Sequence, residues 1–358
     1  MTQENVCPFV MEYVPPFVRA FMSSAKRAGR VERETPHGTR IVIDVWSKDT
    51  DLRFAEEEMA PLAVAVCAGL PFRPMVRIAF IACALPRTLP RTRGEPLAPV
   101  HVNGGVTYSG PKGPQIAVFR KEDACKVMVH ELLHLYGFDA ALLSRQHAVE
   151  PALMRRYGIV ESVAGRFGLN ECLTDLAACK LHAAWRSAKA VDVKFHLDAV
   201  AMRLLIHSQR LKGLGKGWGG GYRERTHAFC YYVCKAALWD RFPAALAAAR
   251  DPVAFAALVD TALQEWSPGD GSFGTPFSSG SAPKPMGAFA RYVAQTDSMR
   301  MTPPLEPRNQ SARNTAPVAR SPNPPNCRES PPQPPARRHH REPHPCVPAP
   351  GAPKQAAL

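Results

Sequence analysis

His130-Glu131-Leu132-Leu133-His134 decides how this chain is read. Glu122 and Asp123 open a helical pattern whose apolar positions Val127, Val129, Leu132, Leu133 and Tyr136 run to Gly137, a left-handed stop. Residues four apart on a helix differ by about 40° in direction and about 6 Å in height, so both imidazoles leave one face and can meet a single ion. They are two legs of a tetrahedral zinc site. Glu131 projects beside the first leg, where it can take a proton from water held in an open coordination position, whose pKa zinc lowers toward about 7. With this composition, only about 0.02 matches to H-E-x-x-H are expected by chance.

A third ligand must come from elsewhere in the chain. Asn170-Glu171-Cys172-Leu173-Thr174-Asp175 offers two acids one helical turn apart. In this arrangement Glu171 binds the ion and Asp175 accepts the free N–H of a ligating histidine. Asp139 and His147 are rival ligands, and His182 lies near the Glu171 face of its helix. The longer pattern in which a third histidine follows the glycine fails, because its position falls on Ala140.

Working outward, Arg40–Trp46 and Met75–Cys83 read as β-branched, apolar strands, with a helix from Phe54 to Gly69 between them. Val100–Tyr108 and Gln115–Arg120 read as two short strands joined by a turn. Helical patterns follow at 170–185, 191–211, 226–239 and 243–266. The expected class is α+β: an N-terminal helical extension over 1–38, a sheet-bearing part over 39–140, a helical part over 141–296 and a tail over 297–358. Cys230 and Cys234 share a helix face but lack a second pair and read as core. Gly215, Gly217 and Gly220 match G-x-G-x-x-G without a preceding strand, which argues for a loop over a dinucleotide site.

Of the 36 prolines in 358 residues, 16 fall after residue 300. That tail, with Pro331-Pro332-Gln333-Pro334-Pro335 and Arg337-Arg338-His339-His340-Arg341, has the composition of a disordered segment. The formal charge of +14 divides into +5 on the tail and +9 on the body. No basic stripe interleaved with aromatics marks a nucleic-acid surface on the body, leaving weak contacts through the tail. The N-terminus lacks the cationic start of a signal peptide and no run is long enough to span a membrane, so the expectation is an intracellular protein. Ten cysteines then point to a reducing compartment. The oligomeric state is not legible.

His130–His134 with Asn170-Glu171-x-x-Thr174-Asp175 resembles the gluzincins, thermolysin-like zinc metallopeptidases. Residues 100–240, through His101-Val102-Asn103-Gly104-Gly105-Val106-Thr107, Ile116–Glu122, His130–Asp139 and Phe229-Cys230-Tyr231-Tyr232-Val233-Cys234-Lys235, look more specifically like the metallopeptidase-like proteins of large nucleocytoplasmic DNA viruses. The gap between the two halves of the motif is longer than in thermolysin. The resemblance implies a zincin-like fold, a twisted mixed sheet over the helix bearing the first two ligands, with a mainly helical C-terminal half closing a cleft. It implies one Zn2+ held by His130, His134 and Glu171, with Asp175 behind them and Glu131 as general base. It also implies an edge strand near Asn103, Gly104 and Gly105 that pairs with a peptide or protein substrate, in the host cytoplasm or virion. Tyr222, His227, Tyr231 and Tyr232 are the candidate oxyanion donors. The alternative is a catalytically silent zinc-binding or virion-associated interaction protein acting through the tail.

Overall fold

The computed structural model describes residues 16–47, 51–90, 95–110, 113–161, 166–211, 222–266 and 299–300. The chain divides into a unit Met1–Arg308 and a second unit Asn309–Leu358, and every described residue belongs to the first. The proline-rich tail beyond residue 300 and the glycines at 213–221 lie outside the described residues.

The sheet grows around its most apolar strand. In β2 (Arg40–Ser47) every residue after Arg40 is buried, as a strand covered on both faces requires. Ile41, Ile43 and Val45 point to one face, and Val42, Asp44 and Trp46 to the other. Its neighbours are β1 (Lys26–Glu34), antiparallel, and β3 (Met75–Ile81), parallel. β3 pairs in parallel with β5 (Gly113–Val118), which pairs antiparallel with β4 (Gly105–Gly110). Among the described residues the order is β1-β2-β3-β5-β4, which leaves β4 at an edge. The protein is thus α+β with a mixed sheet.

One face of the sheet carries α1 (Pro16–Ser24), whose Val18 and Met22 pack on Trp46, Ala79, Ile81, Ala117 and Phe119. Farther along that face Asp44 takes Arg30 Nε at 2.8 Å and Arg77 Nη2 at 3.2 Å, and also Arg27. The opposite face buries α2 (Ala60–Ala68), entered through the helical turns Leu52–Phe54 and Ala55–Met59, and α3 (Ala124–Leu135). α3 carries the His130–His134 segment. It is buried along nearly its whole length because sheet and helical layer sandwich it.

Beyond α3 the described residues are mainly helical: α4 (Leu169–Trp185), α5 (Ala190–Leu211), the run Phe229–Cys234 into Lys235–Leu238, α6 (Phe242–Ala248) and α7 (Pro252–Glu265). A second core of Leu173, Leu176, Phe229, Tyr232 and Trp239, among others, holds them together. Cys230 and Cys234 are fully buried there. The helix expected over 243–266 is two, because Asp251 breaks it and caps the second by accepting Val253 N–H at 2.9 Å.

Two expectations are corrected. Residues 26–34, placed in a helical extension, form β1: the sequence lacks apolar alternation because only Val31 is buried, and pairing with β2 supplies the order instead. The strand expected from Val100 begins at Gly105. Pro99 starts a helical turn, Pro99–Val102, in which Ala98 N–H donates to His101 Nδ1 at 3.0 Å. No helix among the described residues is long and apolar enough to cross a membrane.

Candidate metal centre

α3 ends where the backbone can turn sharply. Gly137 has φ +69, Gly137 N–H donates to His134 O at 2.9 Å, and Phe138 N–H reaches Leu133 O at 3.0 Å. This Schellman turn folds the chain back beside the second histidine. α4 begins at Gly168, whose φ of +91 suits glycine, and a Cβ there would fall 2.6 Å from His227 Nδ1. Side chains from elsewhere satisfy its first amides: Glu150 Oε1 accepts Gly168 N–H at 2.7 Å and Leu169 N–H at 3.0 Å, and Gln146 Oε1 accepts Asn170 N–H at 2.8 Å. The first turn of α4 is therefore fixed where Glu171 sits.

The two helices bring His130, His134 and Glu171 together. One ligand atom from each lies within 4.8 Å of the others, so this group could hold a metal ion. The two Nε2 atoms are 2.9 Å apart, and Glu171 Oε2 is 3.3 Å from the first and 3.4 Å from the second. Asp139 and His147, the rival ligands, are not part of the group.

Charge separates the roles. Burial pushes His130 down to about 3, so its ring is neutral with a lone pair to offer. Burial also works against charge on His134, but Glu171 and Asp139 outweigh it and push that ring up to about 11. Burial would raise Glu171, yet His134 and His130 hold it well below the usual carboxylate range. An anionic oxygen beside two ring nitrogens calls for a positive charge at their meeting point. A proton supplies it without an ion, and a divalent cation is the chemical alternative.

Glu131 stands apart from this group. Thr107 Oγ1 of β4 lies 2.8 Å from Glu131 Oε2 and 2.9 Å from its carbonyl oxygen, which ties the residue to the edge strand. Burial raises its carboxyl to about 7. Gly105 makes room for it, since a Cβ there would lie 2.8 Å from Glu131 Oε1 and 2.6 Å from Val127 Cγ1. A cavity of about 30 Å³ adjoins His130, Glu131, Gly105, Lys126, Asp175 and Tyr231, enough for a water molecule.

No protein family, no curated protein and no solved structure matches this chain. The geometry alone therefore carries the functional reading.

Of the four candidate donors, Tyr231 reaches the site. Its hydroxyl donates to Glu171 Oε2 at 3.0 Å and its ring centroid is 6.0 Å from that of His130. His227, one turn earlier, meets the Tyr231 ring edge-on at 6.4 Å and has a buried Nδ1 with no hydrogen-bond partner among the described residues. Tyr222 spends its hydroxyl on Glu224 at 3.0 Å and Tyr232 on Met299 O at 2.9 Å, both in the helical core. Asn103 and Gly104 precede the edge strand and serve its entry: Asn103 Oδ1 accepts Thr226 Oγ1 at 2.8 Å, and Gly104 O accepts Phe119 N–H at 2.8 Å. His182 belongs to a different cavity, with Glu58, Glu122 and Arg186.

Sequence reasoning took Asp139 for a rival ligand and passed over Gln146 and Glu150. Asp139 Oδ2 accepts from His134 Nδ1 at 2.9 Å and from Asn170 Nδ2 at 2.9 Å, and Gln146 Nε2 donates to Asn170 Oδ1 at 2.8 Å. An acid two residues after the glycine that closes α3 is the signal for Asp139. Gln146 and Glu150 carry none. Asp175 is buried between two lysines, Lys126 and Lys235, with Lys235 Nζ at 2.6 Å.

Proposed function

We propose that this protein is a zinc-dependent peptidase of zincin-like fold, with His130, His134 and Glu171 as zinc ligands and Glu131 as general base. One observation carries the reading: three ligand atoms from two helices converge while a fourth side chain, the carboxylic acid Glu131, stands beside them, bound to the edge strand and outside the ligand group. Two histidines and a glutamate form a donor set that leaves a coordination position open, as catalytic zinc sites do. A structural site would fill all four.

Bound zinc supplies Lewis acidity toward the scissile carbonyl and acidity to its own water. With zinc held by His130, His134 and Glu171, Glu131 would take a proton from a water in the adjoining cavity and hand it to the departing amine. Thr107 fixes the direction of the Glu131 carboxylate through its hydroxyl. β4, the edge strand among the described residues, would offer its outer side to an extended peptide, directly beside Glu131. Tyr231 keeps its proton, because burial and then Glu171 and Glu131 push it well above the usual phenol range. It is therefore a donor on the ligand side of the cleft.

Metal analysis of the purified chain, joined to hydrolysis of a diverse peptide library, tests the reading. Stoichiometric zinc with turnover is expected. Glu131→Gln should keep the metal and lose turnover, while Glu171→Ala should lose the metal. Zinc without turnover in the wild type would favour the silent binding protein, and a chain that takes up no zinc would end the proposal.

A further inference from the structure

The two ring nitrogens that face away from the ion's position are treated differently by their surroundings. His134 Nδ1 makes a hydrogen bond of 2.9 Å to Asp139 Oδ2. His130 Nδ1 is buried and makes none among the described residues. Asp175 Oδ1 comes within 3.1 Å of it without forming a hydrogen bond. The reason lies in what else Asp175 touches: Lys126 Nζ takes Oδ1 and Lys235 Nζ takes Oδ2, and all three side chains are at most 1% exposed. The two amines, and not the imidazole, fix where the Asp175 carboxylate points.

Asp139 is placed the other way. It is 3% exposed, accepts from His134 and from Asn170, and is braced from behind by Asn170, which Gln146 holds through both its amide and its backbone N–H. The chain Gln146–Asn170–Asp139–His134 runs from the first turn of α4, next to Glu171, to the far nitrogen of His134. It links two of the three ligands.

We propose that Asp139, and not Asp175, is the carboxylate that orients a metal-binding histidine here, and that Asp175 is instead the centre of a buried ionic node joining α3, α4 and the 229–238 helix. This rests on the zinc reading above. Asp139 is a positioning residue: it holds the proton on His134 Nδ1, which leaves the Nε2 lone pair for the ion and makes that ring the stronger of the two ligands.

Chelator competition on the full chain measures it. Asp139→Asn should weaken zinc binding by about ten- to a hundredfold, the range for removing such a partner, with the metal-free melting temperature nearly unchanged. ¹⁵N spectra of the zinc-loaded protein should show the His134 Nδ1–H signal altered in the variant, which a purely structural role for Asp139 would not produce. Asp175→Asn alone would strand two buried lysines, so the node is removed whole as Lys126→Met/Asp175→Leu/Lys235→Met. That variant should bind zinc within about threefold of wild type, since replacing a complete buried ion cluster with apolar residues is tolerated. Equal affinity of Asp139→Asn and wild type, or a loss in the triple variant as large as that expected for Asp139→Asn, overturns the proposal. A wild-type chain that binds no zinc overturns the metal reading beneath it.

Discussion

Tyr231 donates its hydroxyl to Glu171 Oε2 at 3.0 Å, and one turn later on the same helix Lys235 Nζ stands 2.6 Å from Asp175 Oδ2. Two acids four apart on α4 are thus met by two donors four apart on the next helix, like rungs between uprights. The third candidate ligand is aimed by a residue 60 positions away. Tyr231→Phe should remove the upper rung alone. Zinc affinity is expected to fall by about tenfold, the lower end for losing a group that orients a ligand, while thermal melting moves little. Isothermal titration of the metal-free variant checks this, and unchanged affinity would mean that Glu171 needs no help.

Gly105 is a packing requirement. Its missing Cβ would collide with Val127 Cγ1 at 2.6 Å and with Glu131 Oε1 at 2.8 Å. Gly105→Ala should push the Glu131 carboxylate away from Thr107 and leave His130, His134 and Glu171 in place. The expected result is peptide turnover reduced by about a hundredfold, as for a displaced catalytic group, at undiminished metal content.

The ionic node predicts an asymmetry in stability. Asp175→Ala leaves the Lys126 and Lys235 amines buried without their acid, and breaking a buried pair from one side costs about 3–5 kcal/mol. Lys126→Met leaves a one-to-one pair of Asp175 and Lys235 and should cost clearly less. Burial already pushes Lys126 well below the usual amine range, with Cys179 opposing and Lys235 adding to it. Urea denaturation of the two variants decides the order.

Glu224 gives the fold a pH dependence. It is buried, and burial raises its carboxyl from 4.5 to about 8, against the hydrogen bonds from Phe229 N–H and the Tyr222 hydroxyl. Below pH 4.5 folded and unfolded chains are both protonated there. Between 4.5 and 8 the unfolded chain ionises and the folded one does not, so this group's contribution falls as pH rises, by about 5 kcal/mol at most. Glu224→Gln keeps an acceptor for Phe229 and should be more stable than wild type at pH 8 but not at pH 4.5. Denaturation midpoints at the two values test it, and parallel curves would contradict the assignment.

The parts of the site that were legible in the sequence are those fixed by local spacing. His130, Glu131 and His134 lie on one helix and Glu171 and Asp175 on another, and the 3.6-residue repeat places each set without knowledge of the rest. Strands β2 and β3 were legible because burial on both faces demands unbroken apolar text. β1 was not, since its charged side chains answer Asp44 across the sheet and its backbone answers β2. Glu150 and Gln146 were hidden for a related reason: their partners are 18 and 24 residues distant, and no periodic pattern links a cap to the helix it caps. Asp139 was legible as an acid near the histidines, but it was read as a rival ligand and not as the partner of His134. Among four aromatic or imidazole candidates in one segment, spacing alone could not tell Tyr231 from Tyr232, although adjacent positions point to different sides of a helix.

Arg120 shows how far a single guanidinium can reach. Its nitrogens donate to the carbonyls of Asn103 at 2.7 Å, Leu85 at 2.8 Å, Pro86 at 3.0 Å and Val100 at 2.5 Å. The long connection from β3 to β4 is wound around a fixed peg, and its path is set by a residue that comes after it in the chain. An ammonium in that place, with one compact donor head where four spread acceptors wait, would let the connection unspool, and the rim of the cleft would drift before the interior of the molecule registered any change.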